Sequence, residues 1–583
     1  MIKEEIEVLL NNAAVKAGYG EVNLTVSFSA LPQVCDFQSN GCFALAKKLG
    51  KAPLEIAENI VNNIENNDKF EFFALKPAFI NVKVTNMYLS KTAENILNDK
   101  NLGVEKIDNK KVLIDYGGPN IGKAMHIGHM RSFNIGEAMK RLYRKLGFTV
   151  VSDIFLGDWG MPLGLIIAQL EDEGVLEYYF KGKGSKPTLT LEMMNVAYPK
   201  ASLRKAEEPD FKAKAEDYTL RFQRGEQPYY GIWQELRAVS VEAVKKTSHK
   251  LNADFDLWNG ESTASPYFDE VIKLFKDKGL ARVSDGALIV DVAEEGEQIP
   301  IPKKTPDEPQ RYENPMPPII LQKSNGGEMY STYDIATIYY RNKLYKPDIL
   351  HYIADNRQSQ HFTQVFRACK KAGFAPETLI HTGFGTMNGK DGKPFKTREG
   401  GTLKLEEFLG SIQDKAKEKL AANNVDASED ISLKIAIGAL KFGDLSTSVE
   451  KDYVFDVDKF LAFEGKTGPY IQYTICRIKS ILAKANEEGG AIAIDSVEER
   501  NIVLSLLKLI SSYRICYEDK SLSSLCLACY DLASNFSAFY NACHILSEQN
   551  EAKRKSYLSL LVLVKKVLKN ALDTLAIEVP EKM

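Results

Sequence analysis

The stretch that decides the fold is KVLIDYGGPNIGKAMHIGHMRS, residues 111–132. It begins with side chains that favour β-strands, and the glycines and proline that follow end the strand. The apolar residues from Ile135 to Leu146 then recur at helical spacing, and a second strand-like run covers 149–156. A strand, a loop, a helix and a strand within about 45 residues form a βαβ unit, so the sequence predicts a parallel sheet.

The region before this unit, residues 1–105, has a different character. Residues 6–17 show helical spacing, whereas 22–28 and 79–84 alternate between inward and outward side chains as strands do. These patterns predict a small α+β domain at the start of the chain.

The regions after the unit are more helical. Residues 106–430 contain the βαβ unit and further strand-like runs, interrupted at about 170–262 by charged helical patterns that we interpret as an insertion. From 431 to 583 the pattern is helical almost throughout. The predicted fold class is therefore α/β, with a small α+β domain first, a parallel-sheet domain with insertions next, and an all-α bundle last.

Composition restricts the kinds of protein that the chain can be. Its 44% hydrophobic and 26% charged residues are typical of soluble globular proteins. No apolar run approaches the roughly 20 residues that cross a bilayer, and charges within MIKEEIEVLL argue against a secretory signal. Eight sparse cysteines suit a reducing compartment, so we expect a cytoplasmic protein without membrane partners. With a net charge of −3, any nucleic-acid-binding surface must be local.

Two of the seven histidines, His126 and His129, lie close together with Gly128 between them. They follow the first strand of the βαβ unit, and open parallel sheets bind ligands at the carboxyl ends of their strands. A helix start offers free N–H groups to phosphate, Gly128 lets a flat nucleotide group approach the backbone, and Lys123 adds a cation. The segment therefore has the parts of a nucleotide site that stabilises charge on phosphate without a covalent intermediate.

Other sites fit this segment less well. It lacks the P-loop pattern G-x-x-x-x-G-K-[ST] and the dinucleotide pattern G-x-G-x-x-G. Two histidines without a nearby acidic or thiol ligand argue against zinc, and Cys526 and Cys529 lie in an apolar helical pattern that favours a helix core. We predict no protein-bound metal. Two polar residues at a helix start, satisfied by water, remain the alternative.

The segment 126–129, His-Ile-Gly-His, resembles the HIGH signature of the class I aminoacyl-tRNA synthetases. Other stretches resemble motifs of the arginyl-tRNA synthetases, in that family's order. They are GPNIGK at 118–123, GDWG at 157–160, YSTYDIA at 330–336, DNRQ at 355–358 with His361, and LAIEVPEKM at 575–583. HIGH alone is shared with other class I synthetases and with nucleotidyltransferases, whereas the combination is far more specific.

The resemblance implies a domain plan. It assigns 1–105 to an N-terminal tRNA-contacting domain, by size and position only, and 106–430 to a class I Rossmann-type catalytic domain. It assigns 431–583 to an anticodon-binding domain, in which Tyr470 and Tyr473 are candidates to stack on bases and the basic stretch 553–569 is a candidate to meet phosphate.

The resemblance also implies a reaction. L-Arginine reacts with ATP, accompanied by Mg²⁺, to give arginyl-adenylate and pyrophosphate, and the arginyl group then passes to the 3′-terminal adenosine of its tRNA. Positioning and charge stabilisation suffice for both steps. The implied catalytic residues are His126, His129 and Lys123; the arginine-binding residues are Asp115, Asn120, Tyr330, Asp334 and Gln358; the ATP-binding residues are His126, Gly128, His129, Lys393, Lys396 and Arg398. Carboxylates are expected at the arginine site because a guanidinium is always charged and presents a planar fork.

The sequence departs from class I enzymes at their second signature, Lys-Met-Ser-Lys-Ser. The corresponding residues 389–401 read GKDGKPFKTREGG, rich in glycine and cations but out of register. The resemblance implies that Lys123, three residues before HIGH, replaces the missing lysine. Which of the loop cations contacts phosphate stays open.

The expected partners are arginine, ATP and the tRNA for arginine, and the chain is expected to be a monomer. Two rival functions remain. A class I synthetase for another amino acid would leave two acidic residues without a partner, unless that amino acid were lysine. A catalytically silent RNA-binding relative would not need His126, His129, Asn120, Asp334 and Gln358.

Overall fold

The computed structural model describes residues 2–301, 303, 305, 308–313, 315–324, 326–327, 329–393 and 403–583. No helix in this described part of the chain combines the length and apolar character needed to cross a membrane.

The first part of the chain is an α+β unit. Its elements are α1 (Ile2–Lys16), β1 (Ser27–Phe28), β2 (Phe37–Ser39), α2 (Cys42–Leu49), α3 (Pro53–Asn62), β3 (Phe70–Leu75), β4 (Phe79–Val84) and α4 (Asn86–Asn98). The strands form one antiparallel sheet in the order β1-β2-β4-β3.

The strand predicted at 22–28 is mostly wrong, because only its last two residues pair in the sheet. In this segment, side chains of α1 accept backbone N–H hydrogen bonds that the carbonyls of a neighbouring strand would accept in a sheet. The Leu24 N–H donates to Asn11 Oδ1 at 2.7 Å, and the Val26 N–H donates to Glu7 Oε1 at 2.9 Å. The alternating pattern of residues 22–28 therefore indicated which side chains are buried. It did not indicate that the backbone pairs in a sheet.

The middle part contains a four-stranded parallel sheet in the order β13-β12-β5-β6, which confirms the predicted parallel sheet. Its first elements are β5 (Lys111–Tyr116), α5 (Met130–Lys145), β6 (Thr149–Asp153), α6 (Met161–Asp172), α7 (Glu177–Lys181), α8 (Leu191–Glu207), α9 (Pro209–Gln223), α10 (Tyr229–Lys250), α11 (Glu261–Ala264) and α12 (Phe268–Asp277). The residues 170–262, all of them described, contain helices and no strand, as the sequence predicts.

The remaining elements of the middle part complete the sheet and add a smaller one. They are β7 (Ala281–Ser284), β8 (Ala287–Val290), β9 (Ile299–Pro300), β10 (Tyr312–Glu313), β11 (Ile319–Gln322), α13 (Tyr330–Tyr345), β12 (Ile349–Asp355), α14 (Ser359–Ala372), β13 (Thr378–Phe384), β14 (Met387–Asn388) and α15 (Leu405–Ala422). Strands β11, β8 and β7 form a separate antiparallel sheet. In β5 the side chains of Val112, Leu113 and Ile114 are fully buried, because helices cover both faces of a parallel sheet.

The last part is helical, as predicted. Its elements are α16 (Glu429–Leu445), β15 (Tyr453–Val454), α17 (Val457–Phe460), α18 (Gly468–Ala485), α19 (Val497–Asp519), α20 (Ser523–Ala542) and α21 (Glu551–Thr574). Helices α16 and α21 pack against α5, and one hydrophobic core extends from the first part into this bundle. Cys526 and Cys529 are buried free thiols of α20.

Candidate active site

A cavity of about 500 Å³ opens at the carboxyl ends of β5, β12 and β13. Gly117 follows β5, whereas Asp355 and Phe384 end β12 and β13, and all three line it. This edge of a parallel sheet is where α/β proteins bind ligands. The cavity brings together these predicted site residues: Asp115, His126, Gly128, His129, Tyr330, Asp334 and Gln358.

The other predicted site residues lie outside the lining that the described residues form. Asn120 is exposed and bridges to Gly157, and Lys123 lies beside the insertion. Lys393 is exposed in a turn, where its N–H donates to Asp391 Oδ1 at 3.1 Å. Lys396 and Arg398 fall outside the described residues.

The two histidines belong to a short 3₁₀ turn that leads into α5. His126 Nδ1 accepts the Gly128 N–H at 3.1 Å, and His129 Nδ1 accepts the His126 N–H at 3.2 Å. A Cβ on Gly128 would lie 2.8 Å from the His126 ring. The nearest obstacle to a side chain at this glycine is therefore the imidazole, so the glycine allows the turn to close.

Burial favours the neutral form of both rings. Burial and Lys123 lower the pKa of His126, and burial together with His126 lowers the pKa of His129 to about 3. Both imidazoles are therefore neutral at physiological pH. Because His126 Nδ1 accepts a backbone N–H, the proton of the neutral His126 ring resides on Nε2. His129 Nδ1 lies 3.2 Å from both the N–H and the carbonyl of His126, so these contacts are compatible with either tautomer of His129. The turn thus presents two neutral imidazoles.

The backbone around His126 is also tied to the chain that follows the second-signature region. The Ile127 N–H donates to the Leu403 carbonyl at 3.1 Å, and the Leu405 N–H donates to the Met125 carbonyl at 2.9 Å. The HIGH turn and the segment leaving loop 389–401 are therefore held together as one unit.

Asp334 lies in the first turns of α13, almost fully buried at 8% exposure. Its Oδ2 is 2.6 Å from His361 Nε2, and the His361 ring lies 5.2 Å from the ring of Tyr330. The start of α13 is fixed to β11, because the Thr332 hydroxyl donates to the Leu321 carbonyl at 2.6 Å. Asp334 is thus a rigidly held carboxylate facing the cavity.

Asp115 already has a cation within the protein. The fully buried Arg341 lies 2.6 Å from Asp115 Oδ2 and 2.9 Å from Asp153 Oδ2. Burial raises the pKa of Asp115 to about 6, although Arg341 acts in the opposite direction. Two carboxylates share one guanidinium, so the cluster keeps negative charge, and the predicted second anion at the arginine site is already paired with Arg341.

Glu261, the first residue of α11, was not singled out from the sequence. It does not line the cavity, but its charge acts on Tyr330, which does. Glu261 Oε2 accepts the Trp159 N–H at 3.3 Å. Burial, the charge of Asp158 and that of Asp334 raise the pKa of Glu261 to about 7. Among the described residues, the charges that act most strongly on Glu261 are thus negative. A cation bound beside Glu261 would therefore be stabilised electrostatically. A single glutamate at a helix start resembles any favourable first-turn residue, so no local signal distinguishes it.

Asn120 and Lys123 extend from the cavity toward the insertion. The parallel bridge to Gly157 places Asn120 so close that a Cβ on Gly157 would lie 2.0 Å from Asn120 Oδ1. The Lys123 ammonium lies 3.9 Å from the centre of the Tyr198 ring on α8. The insertion therefore holds Lys123, while the lysine remains close enough to His126 to lower its pKa.

The helical bundle carries the aromatic residues expected at an RNA surface. Tyr473 is 38% exposed, and the rings of Tyr470 and Tyr530 lie 5.9 Å apart. Cations accompany them, because Lys466 lies 5.6 Å from the Tyr530 ring and Arg477 stands 4.0 Å from the ring of a further tyrosine on α20.

Three of the six cations in the basic stretch 553–569 form ion pairs with acidic neighbours. Arg554 pairs with Glu487 at 2.8 Å, Lys555 with Glu551 at 2.5 Å, and Lys569 with Asp573 at 2.8 Å. These exposed or half-buried pairs are typical of a solvated helix face. The aromatic surface and the remaining cations of this stretch are both candidates for RNA contact.

Family models match nearly the whole chain. Residues 1–84 match the arginyl tRNA synthetase N-terminal domain, 92–457 match the catalytic domain of the class I tRNA synthetases (R), and 471–583 match the DALR anticodon binding domain.

Individual proteins are similar over the same length. The arginine–tRNA ligase of Agathobacter rectalis is 40% identical, over 100% of this chain and 99% of that protein. The arginine–tRNA ligase of Alkaliphilus oremlandii is 38% identical over 100% of both. The arginyl-tRNA synthetase of Plasmodium falciparum superposes with a TM-score of 0.82 at 25% identity, over 100% of this chain and 99% of that one. The Thermus thermophilus enzyme shares the fold, with a TM-score of 0.79 at 23% identity over 100% of both chains.

The parallel sheet, the HIGH turn at its edge and the helical bundle define a class I aminoacyl-tRNA synthetase. Within that class, the chain belongs to the arginyl-tRNA synthetase family. The predicted fold class and family are thereby confirmed.

Proposed function

We propose that this chain is an arginine–tRNA ligase whose single cavity activates arginine with ATP and then passes it to tRNA. The observation that carries the proposal is that one cavity joins the neutral HIGH turn to the carboxylate of Asp334, in a chain that matches the family along its length. The first group suits a phosphate and the second suits a guanidinium.

The arginine end of the cavity is assigned to Asp334 and Glu261. A guanidinium with five N–H donors needs more than one acceptor, and it would restore the ionised form of Glu261 by supplying a cation. Asp115 contributes through the negative charge that its cluster with Arg341 retains. Tyr330 and Gln358 line the same cavity and are assigned to the rest of the substrate, with Asn120 beside them.

The ATP end is assigned to the HIGH turn, with Gly128 allowing its closure. Neutral Nε2–H groups of His126 and His129 donate to the α-phosphoryl oxygens, and these bonds strengthen as negative charge develops there. Lys123 is assigned the cationic contribution. Contacts of Lys393, Lys396 and Arg398 with ATP remain proposals.

Mg²⁺ is assigned to the nucleotide. The described residues include no cluster of three or more acidic, histidine or cysteine side chains that could hold a metal ion. We attribute no step to a protein-held ion.

The tRNA contacts are assigned by domain. We propose that 431–583 receives the anticodon on the aromatic surface around Tyr470 and Tyr473, and that 1–105 contacts the tRNA outside the anticodon, with 106–430 as the catalytic domain. We also propose that the protein acts as a cytoplasmic monomer.

Amino-acid-dependent exchange between ATP and pyrophosphate tests the proposal. All twenty amino acids would be assayed, with and without tRNA transcripts. Exchange is expected with arginine, and by analogy with the family only when the cognate tRNA is present. Exchange with lysine and none with arginine would overturn the substrate assignment, and no exchange with any amino acid would favour a silent RNA-binding protein.

A further inference from the structure

Arg131 follows the HIGH turn by two residues and is almost completely buried, with 2% of its surface exposed. Its guanidinium makes three hydrogen bonds to distant parts of the chain. Nε donates to Asp444 Oδ1 at 2.9 Å, and Nη1 donates to the carbonyls of Gly385 at 2.7 Å and Lys451 at 3.1 Å. One side chain therefore connects the first turn of α5 to three other segments.

These segments surround the phosphate end of the cavity. Gly385 lines the cavity together with Arg131 and lies between β13 and β14, just before loop 389–401. Lys451 precedes β15, which pairs with β14. Asp444 lies in the last turn of α16, the first helix of the bundle, and its other oxygen accepts the Asn134 amide at 2.9 Å. The guanidinium thus lies where the HIGH turn, the second-signature side and the bundle meet.

We infer that Arg131, held by Asp444, is a positioning residue that sets the spacing between the HIGH turn and the Gly385 segment across the ATP end of the cavity. The inference rests on the proposed function, because that spacing matters only if ATP lies between the two sides. In this role Arg131 acts through the Gly385 and Lys451 segments that it binds.

Geometry explains why an arginine is needed. A guanidinium presents its donors in a fixed planar fork, so one buried charge can hold a carboxylate and two carbonyls at set distances. A lysine would keep the charge but is a single point, and it could not make all three bonds with the same geometry. A misplacement of about 1 Å at a reacting centre can cost about 10²-fold in rate.

The arginine end of the cavity is built on other elements. Asp334 and Glu261 lie on α13 and α11, and none of the hydrogen bonds that Arg131 makes among the described residues goes to either helix. A change at Arg131 should therefore alter the rate of adenylate formation and the KM for ATP, while the KM for arginine stays nearly constant.

The chain offers a matched control pair, Arg500 and Asp36. Like Arg131 and Asp444, they form a buried arginine–aspartate pair between two parts of the chain, with side chains 11% and 2% exposed against 3% and 0%. They join α19 to the first α+β unit, and neither lines the large cavity. Disrupting either pair removes a buried partner, so both should lower stability.

The experiment compares four variants of the full chain, R131K, D444N, R500K and D36N, at saturating arginine-accepting tRNA. Single-turnover adenylate formation, the KM values for arginine and ATP, and the thermal unfolding midpoint are measured well below every unfolding transition. We expect R131K and D444N to slow adenylate formation by about 10- to 100-fold with arginine KM within about twofold. R500K and D36N should lower the unfolding midpoint and leave the rate unchanged.

Three results would overturn the inference. R131K could retain the wild-type rate, arginine KM could rise together with the loss of rate, or the control variants could lose rate in the same proportion to their loss of stability. If R131K fails to fold, the isosteric D444N decides by the same criteria. A wild-type chain without arginine-dependent activity would instead refute the proposed function, so the two failures are distinguishable.

Discussion

Replacing Asp334 with asparagine should weaken arginine binding far more than ATP binding. The carboxylate is almost fully buried and already receives His361 Nε2 on one oxygen, so the guanidinium must use what remains of its acceptor capacity. Asparagine keeps the shape but loses the charge, and it turns an N–H₂ group toward either His361 or the substrate. A hydrogen bond to a charged group contributes about 2–3 kcal/mol, which corresponds to about 30- to 150-fold in the dissociation constant.

The assay is calorimetric titration of arginine into the protein with tRNA present, followed by KM values for arginine and ATP. D348N is the matched control: Asp348 accepts the Lys111 N–H at 2.7 Å at the opposite edge of the same sheet. We expect D334N to lose arginine affinity by the amount above, with ATP KM within about twofold, and D348N to lose none. An unchanged arginine affinity in D334N would show that Asp334 serves only to orient His361 and the start of α13.

Three further outcomes are expected. Because the pKa of Glu261 is raised to about 7 and a bound guanidinium favours its ionised form, arginine affinity should rise as pH increases through that value, and E261Q should show weaker, pH-independent affinity by titration between about pH 6 and pH 8. K123A should slow single-turnover activation by about 10²-fold with little change in arginine affinity, whereas K390A should cost less, because Lys390 is already paired with Asp456 at 3.1 Å. R341M should lower the free energy of unfolding by about 3–5 kcal/mol, measured by denaturant titration, because it leaves two buried carboxylates without their cation.

The sequence was most informative where local patterns and backbone chemistry agree. The βαβ unit, the helical insertion and the helical bundle follow from periodicity, and the HIGH turn follows from its position after a strand. The failed strand at 22–28 shows the limit of that reasoning. Alternation reports which side chains are buried, but the partner of the backbone is set by α1, whose asparagine and glutamate look like ordinary helix residues in sequence.

The ion-pair partners of the charged residues in the site were harder to predict. An ion pair depends on the distance between two side chains in the folded protein, and not on their separation in the sequence. Asp115 was expected to bind the arginine substrate, and the sequence did not show that Arg341 of α13 pairs with it. The sequence did contain one indication that Arg341 lies near the site. Asp334 and Arg341 are seven residues apart, so on a helix they share one face. Arg131 lies two residues after the HIGH turn, and only the fold reveals that Asp444, more than three hundred residues away, holds it.

The two ends of the cavity should respond differently to acid. At the ATP end, His126 and His129 are assigned as neutral donors to the phosphoryl oxygens. Burial ensures this by lowering both pKa values, that of His129 to about 3. At the arginine end, burial and neighbouring carboxylates raise the pKa of Glu261 to about 7. As pH falls from neutrality, Glu261 therefore gains its proton well before His129 does. Acid should then raise the arginine KM first and leave the rate at saturating arginine nearly unchanged, the reverse of what catalytic histidines titrating near neutrality would produce.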